Sequence, residues 1–83
     1  MANVTLRYWA AARTAAGTES EDFESENVAE LLEQARQRHP GEDFNRVLGL
    51  CSLLLDGRRL DPETSHPLTD GSLVEALPPF AGG

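Results

Sequence analysis

Apolar residues recur along this chain at two spacings, and the switches between them mark its elements. Val4, Leu6 and Tyr8 alternate with Thr5, Arg7 and Trp9, the period of a half-buried strand. Ala10 to Thr18, with Gly17 near its end, reads as a turn. A second short strand over Ser20 to Glu24 completes a hairpin, and its acidity predicts a sheet edge. The clearest element follows. Val28, Leu31, Leu32 and Ala35 fall at i, i+3, i+4 and i+7, one apolar helical stripe. Asn27 stands where a cap is needed and Glu30 three positions on, as in a capping box. Arg36, Arg38 and His39 crowd the last turn, which suits the helix dipole, and Pro40-Gly41 ends it.

Beyond the helix, Phe44, Val47 and Leu48 predict a short helical turn, and Ser52 to Leu55 a buried strand. Asp56-Gly57 is a strong two-residue hairpin signal leading into a short strand at Arg58 to Leu60. Asp61 to Pro67 reads as loop, and Asp70-Gly71 turns the chain into a last strand, Ser72 to Leu77. Strand, strand, helix, strand, strand, strand is the order of an α+β fold of the β-grasp plan, a mixed sheet wrapped on one main helix. The expected organisation is a β-grasp domain over 1–77 and an extended, flexible tail over 78–83. That fold hosts many functions, so function has to come from a site.

Composition narrows the choice. Eighty-three residues make one domain. A domain of this size buries only roughly 60–65% of its unfolded surface, which leaves little room for a full catalytic constellation. The single cysteine, Cys51, can form no internal disulfide and lacks the paired spacing of a metal site. Fourteen acids against seven bases give a net charge of −7. Such a surface repels phosphate backbones, which argues against nucleic acid, and suits a basic patch on a protein partner. All seven bases are arginine, so no lysine of this chain can accept an isopeptide bond. The opening lacks a basic start followed by an apolar stretch, so no signal peptide is expected. The longest apolar run, Leu53-Leu54-Leu55, is far too short to span a membrane, and the expected location is cytoplasmic.

The sequence ends Leu77-Pro78-Pro79-Phe80-Ala81-Gly82-Gly83. Two prolines stop a strand, because they cannot donate to a ladder, and they hold the segment extended. Two glycines remove side-chain bulk, so a narrow channel can close on bare backbone. A carboxylate at the tip then reaches a buried active site. A frayed end is the ordinary explanation of such a segment, but a diglycine directly after a β-grasp pattern outweighs it.

Three segments give the chain a resemblance to the MoaD family, the small sulfur-carrier subunit of molybdopterin synthase. They are Tyr8-Trp9-Ala10-Ala11-Ala12-Arg13 through Gly17, His66-Pro67-Leu68-Thr69-Asp70-Gly71, and the tail from Leu77 to Gly83. Thr14 stands where the family usually has Glu. The resemblance implies a ubiquitin-like sulfur carrier of molybdenum cofactor biosynthesis, non-catalytic alone. Its Gly83 carboxylate would be adenylated and then converted to a thiocarboxylate. A carboxylate is a poor electrophile and needs such activation. This chain holds no phosphate-cradling G-x-x-x-x-G-K or G-x-G-x-x-G motif, so ATP is expected to be used by a partner. The resemblance supplies that partner as an adenylyltransferase akin to ubiquitin-activating enzymes, followed by a sulfurtransferase. It further implies that Phe80, Ala81, Gly82 and Gly83 thread into the large subunit of a heterotetramer. There sulfur would pass to cyclic pyranopterin monophosphate, with no cofactor or metal bound by this chain. Diglycine endings also occur in carriers for thiamine and cysteine synthesis and in ubiquitin. Those pathways, conjugation to target lysines, and a plain interaction module are the alternatives.

Outside the tail, Trp9 is the most informative side chain. If Val4, Leu6 and Tyr8 face the helix, Trp9 faces away, and tryptophan is enriched at interface hot spots. Leu77 shares that outward parity, and the resemblance adds Leu60 to a partner-facing patch of Trp9, Leu60 and Leu77. The alternative is that Trp9 caps the core edge beside the last strand. Cys51 opens a buried strand with no flanking base and reads as packing rather than a relay thiol. Arg13, matching the family's arginine, either orients its loop or contacts a partner.

Overall fold

The computed structural model describes residues 1–61 and 66–79. In chain order its elements are β1 (Ala2–Tyr8), α1 (Ala10–Ala16), β2 (Ser20–Ser25), α2 (Val28–Arg38), α3 (Glu42–Leu50), β3 (Ser52–Leu55), β4 (Arg58–Arg59) and β5 (Leu73–Leu77). The strands form one mixed sheet in the order β2-β1-β5-β3-β4. The only parallel neighbours among them are β1 and β5, with Leu6 opposite Val74 and Tyr8 opposite Ala76. This is the α+β, β-grasp arrangement that the element order predicts.

Alternation sets the core. Val4, Leu6 and Tyr8 of β1 are buried, as are Val74 and Ala76 of β5. Leu31 and Ala35 of α2 close over that face together with Phe44, Val47 and Leu48 of α3. Each of the larger aliphatic and phenylalanine side chains among them contributes roughly 1.5–3 kcal/mol on burial. Asn27 caps α2 as expected, its side chain accepting from the Glu30 N–H at 2.8 Å. β2 is an edge strand, as its acidity predicts, and α2 blunts that edge. Gln34 Nε2 donates to the Glu24 carbonyl at 2.8 Å, and Arg38 Nη1 to the Asp22 carbonyl at 3.2 Å.

The structure differs from the pattern in three places. Ala10 to Thr18 is not merely a turn but contains the seven-residue helix α1, ended by Gly17 at φ 75°. Five small alanines give no apolar period to read, yet alanine has high helix propensity and α1 packs on α3. The Phe44 turn is a full nine-residue helix, α3, which joins α2 over the sheet. β3 is half-buried along its length rather than buried, because only two-residue β4 lies outside it. The expected Asp56-Gly57 turn is present, with both residues at positive φ, 49° and 85°. Most of the loop expected over Asp61 to Pro67 lies outside the described residues.

The His66–Gly71 segment fastens two elements. Val28 N–H donates to the His66 carbonyl, and Leu68 N–H to that of Glu26, tying the segment to the start of α2. Asp70 Oδ1 accepts from Asn3 N–H at 2.8 Å, and Gly71 N–H donates to the Asn3 carbonyl, also at 2.8 Å. This motif therefore positions the entry to β5 beside β1.

One polar cluster is built into the edge of the core. Glu21 Oε1 accepts from Tyr8 Oη at 2.7 Å and from His39 Nε2 at 2.6 Å. The carboxylate also lies 3.7 Å from Arg38. Burial raises the pKa of Glu21, but hydrogen bonds from His39 and Tyr8, with the charges of His39 and Arg38, outweigh it and hold the carboxyl below its ordinary value. A depressed acid contributes stability that is present above its unfolded pKa, about 4.3, and lost as pH falls through the folded pKa. Glu21→Ala should therefore cost about 1–3 kcal/mol near pH 7, by leaving Tyr8 and His39 unpaired. The gap from wild type should shrink as pH falls below ~4. Urea melts of both proteins across that range check it, and a pH-independent gap would contradict it.

Candidate functional site

The outer face of the sheet, opposite the helices, follows from the same alternation. Arg7 of β1 pairs across to Glu75 of β5, both at outward positions. Trp9 N–H donates to the Ala76 carbonyl at 3.1 Å, which carries the ladder one residue past β1. Ala10 then takes φ 48°, a left-handed conformation that costs an alanine about 1–2 kcal/mol, and α1 begins. The indole is left on the outer face, 38% exposed. Its Nε1 donates to Glu75 Oε2 at 3.0 Å, and the Arg7 guanidinium lies 4.5 Å from the ring centroid. A cation–π contact at an exposed site is worth roughly 0.5–1 kcal/mol. The ring is thus held from two sides and presented as a fixed anchor.

Leu77 shares this face, since Val74 and Ala76 take the inward positions of β5. Leu60 does not. Its N–H donates to the Leu53 carbonyl, and it packs with Leu53 and Leu55 against the core. The hairpin register decides this: Leu54 and Arg59 are cross-strand partners on the outer side, so the next residue turns inward. Leu54, opposite Glu75, holds the outer position instead. Glu75 and Leu54 are the residues that the sequence alone did not single out. Their parity was legible within each strand, but not the register that sets them beside Trp9.

The tail residues Phe80, Ala81, Gly82 and Gly83 lie outside the described residues. β5 ends at Leu77, with Pro78 half-buried and Pro79 exposed after it. Leu77 lies opposite Ser52, so the chain leaves the sheet where β3 begins.

Cys51 is half-buried, its Sγ donating to the Val47 carbonyl at 3.2 Å. Burial pushes the thiol up to about 11, so it stays protonated at neutral pH and is a poor relay nucleophile. Arg13 pairs with Glu19 at 3.3 Å, bridging α1 to the approach of β2. Among the described residues no group of histidines, cysteines and carboxylates could hold a metal ion, and no helix is long and apolar enough to cross a membrane.

The ThiS family model matches residues 6–83. Solved structures similar to this chain include a small archaeal modifier protein and subunits of molybdopterin-converting factor. Small archaeal modifier protein 1 from Methanosarcina acetivorans is 25% identical, with a TM-score of 0.83, over 100% of this chain and 98% of that one. A chain in the complex of subunits 1 and 2 of molybdopterin-converting factor from Helicobacter pylori is 26% identical, with a TM-score of 0.72, over 98% and 99%. A Pyrococcus furiosus protein assigned as molybdopterin converting factor subunit 1 is 25% identical, with a TM-score of 0.79, over 96% and 100%. The fold is therefore the ubiquitin-like β-grasp of these proteins. No curated protein sequence matches the chain.

An outward Trp9 should contribute little to the fold. Trp9→Ala removes one hydrogen bond and one cation–π contact, a loss of about 1–2 kcal/mol. Tyr8→Ala, at a position 1% exposed, should cost the roughly 3–5 kcal/mol of a core aromatic. Denaturant midpoints of the two variants check the ordering, and equal losses would place the indole in the core.

Proposed function

The chain belongs to the ThiS family, and from that membership we propose that it is a sulfur carrier whose working group is the C-terminal carboxylate of Gly83. The observation that carries this is the extent of the family match, which runs to residue 83 and takes in Gly82 and Gly83. Two features agree with it. Pro78 and Pro79 offer no N–H to extend the ladder past Leu77, so the sheet ends where a tail must begin. Gly82 and Gly83 then let the last residues enter a channel too narrow for side chains.

The chemistry starts with an ATP-dependent adenylyltransferase. The Gly83 carboxylate attacks the α-phosphorus of ATP, pyrophosphate leaves, and an acyl-adenylate forms. A sulfur nucleophile from a sulfurtransferase displaces AMP. If that nucleophile is a persulfide, a thiol then reduces the acyl disulfide, and the thiocarboxylate is released. The carrier itself binds no cofactor and holds no catalytic group beyond its own terminus.

We place this carrier in molybdenum cofactor biosynthesis, as the small subunit of a molybdopterin synthase heterotetramer in the cytoplasm. The likeness to a chain of the Helicobacter pylori subunit 1 and 2 complex supports a large-subunit partner. Trp9, Glu75 and Leu77 form the face that would dock it, with Leu54 beside them. Phe80, Ala81 and Gly82 would carry Gly83 to cyclic pyranopterin monophosphate. A second reading is favoured by the likeness to small archaeal modifier protein 1: conjugation of Gly83 to lysines of other proteins.

Deleting Gly82 and Gly83 should abolish sulfur transfer to cyclic pyranopterin monophosphate in a mixture reconstituted with the large subunit, and leave the melting temperature unchanged. Sulfur transfer by the truncated protein would refute the mechanism. Trp9→Ala should weaken association with the large subunit by more than about 1 kcal/mol, measured by titration calorimetry. If wild-type thiocarboxylate is inert in that mixture but feeds cysteine or thiazole synthesis, the carrier chemistry stands and the pathway changes.

A further inference from the structure

Where α2 and α3 meet the start of β3, the surface opens into a cavity of about 250 Å³. At ~30 Å³ each, that is room for roughly eight water molecules, or one large side chain and its neighbouring backbone. Leu32, Leu48, Leu53 and Leu60 wall it, and half-buried Cys51 lies among them. Among the described residues its charged lining is Arg36 and Arg59, with no carboxylate. In a chain with fourteen acids and seven bases, this is the reverse of the average surface.

The two guanidiniums are held in place by neutral acceptors. Arg36 Nε donates to Asn45 Oδ1 at 2.8 Å, and Arg59 Nη2 to Ser52 Oγ at 3.4 Å. Neither forms an ion pair among the described residues, whereas Arg13, Arg38 and Arg46 all do. Solvated arginines on a polar surface are ordinary. A positioned pair with no carboxylate among the described lining residues, at the rim of a leucine-lined cavity, has the chemistry of a recognition site.

We propose that this cavity docks an acidic peptide segment of a partner protein. One large aliphatic or aromatic side chain of the segment enters between the leucines, and flanking carboxylates pair with Arg36 and Arg59. Arginine and carboxylate match as parallel N–H donors and acceptors, which gives such a pair both strength and direction. The net charge of −7 opposes an acidic partner at long range. At physiological salt that field is screened beyond about 8 Å, so pairs in contact decide the outcome. Trp9, Glu75 and Leu77 take no part in the lining. The cavity adjoins the face they form at one end, where Arg59 lies opposite Leu54 and Ser52 opposite Leu77. Its leucines lie on the helix side of the sheet, and the inference does not depend on the assignment of a large subunit.

The probe is a fluorescein-labelled hexapeptide with leucine and phenylalanine between two pairs of aspartates, titrated into the full chain and followed by anisotropy. Saturable binding is expected. The Arg36→Gln/Arg59→Gln double variant should weaken it about tenfold or more, because each charge-assisted hydrogen bond is worth on the order of tenfold. A companion peptide with lysines for aspartates should not bind. The sole thiol reports location: bound peptide should slow maleimide alkylation of Cys51, measured near pH ~9 because the buried thiol is otherwise unreactive. An unchanged melting temperature shows that the double variant is folded, and Arg59→Gln alone, at an exposed position, replaces it otherwise. The proposal fails if the aspartate peptide does not bind at millimolar concentration, if the arginine variants bind it equally, or if Cys51 is not protected. It also fails if deleting residues 80–83 speeds Cys51 alkylation without peptide, since the occupant would then be the chain's own end.

Discussion

The parallel pairing of β1 with β5 is the interaction on which the other features depend. Parallel neighbours cannot be joined by a tight turn, so everything between Tyr8 and Leu73 serves as their connection. That connection adds β2 to the far side of β1, lays α2 and α3 over the inner face, and returns as β3 and β4 beyond β5. Tyr8 opposite Ala76 buries two of the least exposed residues of the core. The same register sets Arg7 opposite Glu75 on the outer face and brings Trp9 to the Ala76 carbonyl. One ladder thus decides both where the core sits and which side chains gather where the chain leaves the sheet.

Local signals carried much of this fold. Strict alternation in β1, the Asn27 cap with its apolar stripe, and the Asp56-Gly57 turn each appear where their residues predict, because each rests on chemistry within a few positions. α1 escaped notice for the opposite reason. Its alanines carry no apolar period, no side chain caps its start, and it begins from a strained Ala10, so packing on α3 is what holds it. Leu60 shows the limit of carrying a family's pattern onto a position. Its face is set by hairpin pairing with Leu53, and that pairing turns it inward. Trp9 was legible as an outward aromatic, but its hydrogen bond to Glu75 spans 66 positions, and only the folded register brings the two together.

The domain and the tail divide the work between them. A buried core, with Glu21 fastening β1, β2 and the end of α2, gives a rigid body whose outer face can be recognised. The chemistry is assigned to the terminus, where an activated carboxylate needs reach and slimness rather than a pocket. On that assignment, so small a chain could take part in group transfer without a catalytic pocket of its own. On the proposed reading, family membership constrains the chemistry more tightly than the pathway, because Trp9, Glu75 and Leu77 would select the partner and the diglycine would not.

The intact mass of the protein purified from its native host tests the carrier role most directly. A sulfur carrier ending at Gly83 must show a fraction of molecules heavier by one oxygen-to-sulfur exchange, and that increment must disappear when the last two glycines are deleted. A population found only as carboxylate, or only as covalent adducts with other proteins, would contradict the role assigned to Gly83.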